Sequence, residues 1–149
     1  MTTALYAGSF DPFTNGHLDI LDKASKIFDK VIIAVAINSE KKSFLPLETR
    51  LELIKTSVAG FENVVVDSYE GLTIEYAKKQ GVSVLIRGVR NSSDFDYEHQ
   101  ISDTNKILAP EIETILLTPS PKNAFISSTI VREIYKNGGD ISKLVPHVW

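Results

Sequence analysis

No cysteine occurs among the 149 residues. Disulfides, thiolate nucleophiles and cysteine-held metals are therefore excluded, and the absence fits a reducing compartment. A basic surplus is missing too: 16 Lys and Arg stand against 19 Asp and Glu, for a formal net charge of −3. Binding to a nucleic-acid polymer usually shows as excess positive charge, so no such partner is expected, and only a local basic cluster for a small anion stays open. Long hydrophobic runs are absent; the longest, Val31 to Ile37, is far too short to span a bilayer. The opening MTTALYAGSF lacks the basic head and apolar stretch of a secretory signal. A cytoplasmic location away from membranes is the expectation, and the sequon at Asn91-Ser92-Ser93 reads as incidental. What remains is ordinary globular composition, 43% hydrophobic and 23% charged, which argues against disorder. The length predicts a single domain over 1–149 with a core that needs no staples.

Apolar, β-branched runs alternate with stretches of helical period. The predicted strands are Ala4–Ala7, Val31–Ile37, Asn63–Asp67, Val82–Ile86 and Thr114–Thr118. The predicted helices are His17–Phe28, Leu47–Ala59, Thr73–Gln80, Asp94–Leu108 and Ser128–Asn137. Leu47, Leu51, Ile54 and Val58 form a stripe at 3.6 spacing behind Pro46. Ser92-Ser93 offer caps for the fourth helix and Ser127 for the fifth, which Gly138-Gly139 ends. Strict β/α alternation implies an α/β fold: a Rossmann-like, doubly wound, five-stranded parallel sheet with helices on both faces and right-handed crossovers. A common order at this size is 3-2-1-4-5, whose winding reverses between strands 1 and 4. Ligands bind beyond the carboxyl ends of strands at such a reversal. The two most unusual loops, GSFDPFTNGH and RGVRNSSDF, follow strands 1 and 4 and so should share one crevice.

In the first loop, Gly8 and Gly16 permit close backbone approach, Ser9 supplies a hydroxyl and an amide, and Pro12 fixes the turn. Free amides and the positive dipole end of the next helix point at the crevice. The dipole disfavours imidazolium at His17, leaving a neutral donor suited to a phosphoryl oxygen. The alternative is a plain strand-to-helix turn with a solvated histidine. Neither a dinucleotide fingerprint nor a Walker loop is present. Arg87 and Arg90 flank Gly88 and Val89 in the second loop; they suit planar contacts to more than one phosphate, or else surface pairs with Asp94, Asp96 or Glu98. In ISSTIVR, Ser127, Ser128 and Thr129 crowd a helix start, and one hydroxyl suffices as cap. Lys41-Lys42 follow strand 2 as mobile point charges or solvated lysines. Glu98, Ile101, Ser102 and Asn105 share a helical stripe. His99 and His147 show no spacing for a metal or a triad, so no protein metal site is expected.

Thr14-Asn15-Gly16-His17 resembles the T/H-x-G-H signature of the nucleotidyltransferase superfamily, and ISSTIVR resembles its second signature. IRGVR followed by DFDYE is similar to a narrower group, the bacterial phosphopantetheine adenylyltransferases. The likeness runs from Tyr6 to about Pro146. It implies that ATP adenylylates 4′-phosphopantetheine, giving dephospho-coenzyme A and pyrophosphate. By the same resemblance Ser9 would contact both substrates, with the Phe10 amide on ATP. His17 would hold the α-phosphate region, and Lys41 the acceptor or shared phosphate. Arg87 would bind the acceptor phosphate. Gly88, Val89, Arg90 and Glu98 would bind ATP. Asn123, Ala124, Phe125, Ile126, Ser127, Ser128 and Thr129 would cradle the adenine and polyphosphate, while Thr73 and Asn105 would touch the pantetheine arm. The chain departs from the pattern in Ser9, where threonine is frequent, and in Thr73, where an apolar residue is frequent. It also stops at Trp149, where members usually continue into one more short helix.

The implied attacking group is a phosphate oxygen already ionised at neutral pH, so neither a general base nor a covalent enzyme intermediate is required. Positioning and charge stabilisation carry such transfers, here through His17, Lys41 and Ser128 at its helix terminus. Magnesium would come bound mainly through ATP. A homohexamer is the family expectation, and dephospho-coenzyme A or coenzyme A would be product-like ligands. Two other readings stay open: a sibling enzyme acting on nicotinamide mononucleotide or using CTP, and a non-catalytic nucleotide or coenzyme A sensor.

Overall fold

The structure, a computed structural model, describes residues 1–149. Its strands are β1 (Thr3–Gly8), β2 (Lys30–Ile37), β3 (Val64–Glu70), β4 (Val84–Gly88) and β5 (Glu113–Leu117). Its helices are α1 (Asn15–Ile27), α2 (Leu47–Ser57), α3 (Thr73–Lys79), α4 (Ser92–Leu108) and α5 (Ser128–Lys136), with a short 3₁₀ turn at Pro121–Asn123. The sheet is five-stranded in the order β3-β2-β1-β4-β5, and every neighbouring pair is parallel. The α/β alternation and the 3-2-1-4-5 order expected from the sequence are both present.

The period of two along β1 decides which layer each side chain joins. Ala4 and Tyr6 face α1 and α2, packing with Ile20, Leu21, Ala24, Ile54 and Val58. Leu5 and Ala7 face the opposite way, toward Ile74 and Ala77 of α3 and toward Ala109 and Ile112. A third, smaller cluster joins Val131 of α5 to Ile126, Ile141 and Val145. It moors α5 to the C-terminal segment, whose Leu144 carbonyl accepts from the amide of Asn15 at 2.9 Å.

Helix starts differ in detail from expectation. Helix α4 begins at Ser92, and its cap is Asn91, whose side chain accepts from the Asp94 amide. Asn caps as well as Ser does, and Asn91 has the extended backbone a cap needs, so Ser92 and Ser93 fall inside the first turn. Helix α1 begins two residues early because Thr14 caps it. The gap between the carboxyl ends of β1 and β4 opens where the crossovers change direction, with the α1 and α5 starts pointing at it.

Candidate active site

A cleft of about 810 Å³ lies above those strand ends. Its wall includes Ser9, Phe10 and His17 from the β1–α1 loop, Lys41 and Lys42 from the β2–α2 loop, and Arg87, Gly88 and Arg90 after β4. Glu98 of α4, Ile126 and Ser127–Thr129 complete it. The three segments singled out in the sequence thus converge, and His17 and Arg90 face the same space.

The β1–α1 loop is held by its carbonyl groups. Arg50 Nη1 donates to the Ser9 carbonyl at 3.0 Å, Arg132 Nη1 to the Asp11 carbonyl at 2.8 Å, and the Ser128 hydroxyl to the Pro12 carbonyl at 2.9 Å. Phe10 sits at φ 46°, in the left-handed region, a conformation that costs a non-glycine residue about 1–3 kcal/mol and needs support from its surroundings. Its ring packs edge-on against Tyr6 and His17, with centroids 5.2 and 5.1 Å away. A side chain at Gly8 would place its Cβ 3.2 Å from Phe10 Cζ. Gly8 is therefore explained by the Phe10 ring, in addition to the ligand approach expected of it.

His17 is fixed in one tautomer. The Thr14 amide donates to Nδ1 at 3.0 Å, while the His17 amide donates back to the Thr14 hydroxyl at 3.3 Å. This reciprocal capping box makes Nδ1 an acceptor, so the ring proton resides on Nε2. Phe13 stacks on the imidazole with centroids 5.7 Å apart. Burial, then the charges of Arg90 and Arg87, push the pKa from 6.5 down to about 4. His17 is a neutral donor, as expected, but desolvation and two guanidinium groups supply the cause assigned in the sequence to the helix dipole.

The two arginines after β4 are both paired. Arg87 grips Glu98 bidentately, Nε to Oε2 at 2.7 Å and Nη2 to Oε1 at 2.8 Å, and its Nη1 reaches the Ala7 carbonyl at 2.9 Å. Arg90 pairs with Asp94 at 2.9 Å. Ser127 caps α5 by accepting from the Ile130 amide, and Thr129 Oγ1 accepts from Arg132 Nη2 at 3.1 Å. Those hydroxyls are engaged in holding the loop and the helix, leaving the first amides of α5 as its open donors.

Six expected residues do not line the cleft. Val89 is buried, with its amide on the Leu117 carbonyl at 2.9 Å. Asn123 donates to Asp19 Oδ2 at 2.6 Å, and Phe125, two residues on, is exposed; neither these two nor Ala124 lines the cleft. The Thr73 hydroxyl meets the Tyr69 hydroxyl at 2.7 Å, and Asn105 lies along α4. Conversely, Asp11, Phe44, Arg50, Arg132 and Lys136 line the cleft without having been singled out. Asp11 accepts the amides of Phe44 and Leu45 at 2.7 and 2.8 Å, clamping the lysine loop. Arg50 had a signal: it interrupts the apolar stripe of α2 between Leu47 and Ile54, where a charge has no obvious place.

Residues 5–134 match the model of the cytidylyltransferase-like family. A phosphopantetheine adenylyltransferase from Nautilia profundicola is 48% identical over 146 residues, covering 98% of this chain and 95% of that protein. One from Leptospira biflexa is 50% identical over 145 residues, covering 97% and 91%. Among solved structures, a candidate nicotinate-nucleotide adenylyltransferase from Vibrio parahaemolyticus superposes with a TM-score of 0.71 at 18% identity, covering 97% of this chain and 87% of its own. A lipopolysaccharide core biosynthesis protein from Thermoplasma volcanium gives 0.56 at 20% identity, covering 80% and 97%. Those two likenesses concern the fold; the near-halves of identical residues along almost the whole chain concern descent. The chain belongs to the phosphopantetheine adenylyltransferases, within the cytidylyltransferase-like family.

Proposed function

We propose that this protein transfers the adenylyl group of ATP to 4′-phosphopantetheine, releasing pyrophosphate and forming dephospho-coenzyme A. Its membership among phosphopantetheine adenylyltransferases supports that pair of substrates. The observation that carries the chemical reading is His17, locked with Nε2–H as its donor and kept neutral among two arginines at the cleft. An acceptor phosphate oxygen forms a bond to the α-phosphorus of ATP while the bond to the bridging α–β oxygen breaks, and its electron pair leaves with pyrophosphate. No proton has to be removed from the nucleophile, so no base and no covalent enzyme intermediate enter. His17 steadies the α-phosphoryl oxygens, and Lys41 and the amides at Ser128 meet charge on either side. Ser9, Phe10, Gly88 and Arg90 line the cleft and would contact the two substrates. Glu98 and Ile126–Thr129 on the nucleotide side and Arg87 on the acceptor side keep their proposed roles in binding, whereas Val89, Thr73, Asn105 and Asn123–Phe125 stand outside the cleft wall. Arg87 would then have to share its guanidinium between Glu98 and substrate.

The cleft's residues do not make a cage for magnesium. Asp11 is spent on two amides, Asp94 on Arg90 and Glu98 on Arg87, and no group of three or more His, Asp or Glu side chains is set to hold a metal. We take magnesium to enter as part of the nucleotide substrate, and no step is assigned to it. No helix is long and apolar enough to cross a membrane. A cytoplasmic location and a homohexamer are further parts of the proposal.

The test is pyrophosphate release by purified protein with ATP and 4′-phosphopantetheine, with and without magnesium. CTP and nicotinamide mononucleotide serve as competing donor and acceptor. Turnover with ATP and 4′-phosphopantetheine is expected. ATP binding in calorimetry without release from any acceptor would replace this reading by a sensor.

A further inference from the structure

We propose that Arg50 is a phosphate-binding residue of the cleft, contributing one open guanidinium nitrogen while its other nitrogens lock the surrounding loops. Arg50 is 5% exposed, and no carboxylate lies within ion-pair distance of it. A buried charge without a counter-charge is costly, and here only carbonyl dipoles offset it. Nε donates to the Leu45 carbonyl at 3.2 Å, and Nη1 to those of Ser9 at 3.0 Å and Ala36 at 3.5 Å. These acceptors belong to three separate segments of the cleft wall: the β1–α1 loop, the end of β2 and the β2–α2 loop.

Nη2 has no acceptor within the protein. No buried side-chain nitrogen is left unsatisfied, so Nη2 reaches the open space that Arg50 lines. A planar guanidinium held rigidly on one edge and open on the other is set for a phosphate oxygen. The anion would supply the missing counter-charge. The place identifies which anion: Arg50 stands between the Ser9 turn and the loop of Lys41, so the bound group is the phosphoryl unit held between those two segments. The lock on the Ser9 carbonyl has a second effect, because the amide across the same peptide plane, that of Phe10, then points away from Arg50. Neither that amide nor Nη2 has a protein acceptor.

This inference rests on the adenylyl-transfer reading for the identity of the phosphate, not for its existence. Inorganic pyrophosphate is therefore the primary probe, titrated calorimetrically into full-length wild type, Arg50→Met and Arg50→Lys. Arg50→Met is expected to bind pyrophosphate at least tenfold more weakly and to lose most of the rise in Tm that pyrophosphate gives the wild type. Arg50→Lys, which keeps a point charge but loses the fork, is expected to lose at least threefold in affinity yet recover part of the methionine variant's loss in kcat/KM. A residue that only braced the loops would lower the Tm of the free protein in both variants and leave pyrophosphate affinity within twofold; that result overturns the proposal. If Arg50→Met does not fold, the affinity of Arg50→Lys decides alone by the same twofold limit. Wild type that binds pyrophosphate through Arg50 but never adenylylates 4′-phosphopantetheine would refute the reaction assigned above and leave Arg50 standing.

Discussion

The imidazole of His17 closes the first turn of α1 with one nitrogen and faces the cleft with the other. Removing it as His17→Ala deletes a donor aimed at developing charge, and a loss of roughly 10²–10³-fold in kcat is expected in the pyrophosphate-release assay. The same ring makes the fold sensitive to acid. Its pKa is about 4 in the folded protein against 6.5 as reference, so below pH 6.5 the unfolded chain takes up a proton that the folded chain refuses. Stability from this residue is complete above pH 6.5 and declines as pH falls toward 4, by up to about 3 kcal/mol. Urea unfolding of wild type and His17→Gln at pH 7.5 and 4.5 should show a smaller acid loss in the variant. Glu98 offers a second test at this scale. It is 8% exposed in its side chain and bound bidentately to a half-buried Arg87. Glu98→Gln leaves that guanidinium short of its counter-charge, and a loss of about 2 kcal/mol is expected, below the range for fully buried pairs because Arg87 remains partly solvated.

At the scale of elements, the β2–α2 loop is clamped to the β1–α1 loop at its α2 end. Asp11 clamps Phe44 and Leu45, and Phe44 packs edge-on against Tyr135 and Trp149, at 5.7 and 5.8 Å. Lys41 and Lys42 lie upstream of this anchor and are exposed. Asp11→Asn keeps one acceptor oxygen of the two, so amide exchange at Phe44 and Leu45 should quicken, and KM for the acceptor should rise severalfold with a smaller change in kcat. Helix α4 is organised differently: of its 17 residues only Glu98 is buried, while Phe95, Tyr97, Ile107 and Leu108 are exposed.

Across the whole molecule, the assembled cleft should behave as a ligand-linked unit. ATP at one hundred times its Kd is expected to raise unfolding free energy by about 2.7 kcal/mol, readable as a shift in Tm, and the proposed homohexamer is checked by light scattering, where a mass near six chains is its expected result. The architecture could be read from the residues because periods of two and 3.6 survive burial: Val31–Ile37 is apolar throughout and lies between two strands, while α2 shows its stripe. Segment convergence could be read as well, since the reversal in strand order dictates where two odd loops meet. Pairing could not. Whether Arg87 meets solvent, substrate or Glu98 depends on how α4 is set against β4, and nothing within IRGVR specifies that. Arg50 escaped notice because a stripe counts apolar residues and passes over the charge among them.

The loop of residues 9–12 has carbonyls fastened by Arg50, Ser128 and Arg132, and its neighbour Asn15 is fastened by Leu144. Ser128, Arg132 and Leu144 emerge long after the loop itself during synthesis. A nascent chain halted before α5 would carry the histidine signature and the whole sheet, yet would lack two of the three fasteners. Nucleotide recognition should therefore switch on late, when the final sixth of the polypeptide clears the ribosome, and no shorter fragment should substitute for it.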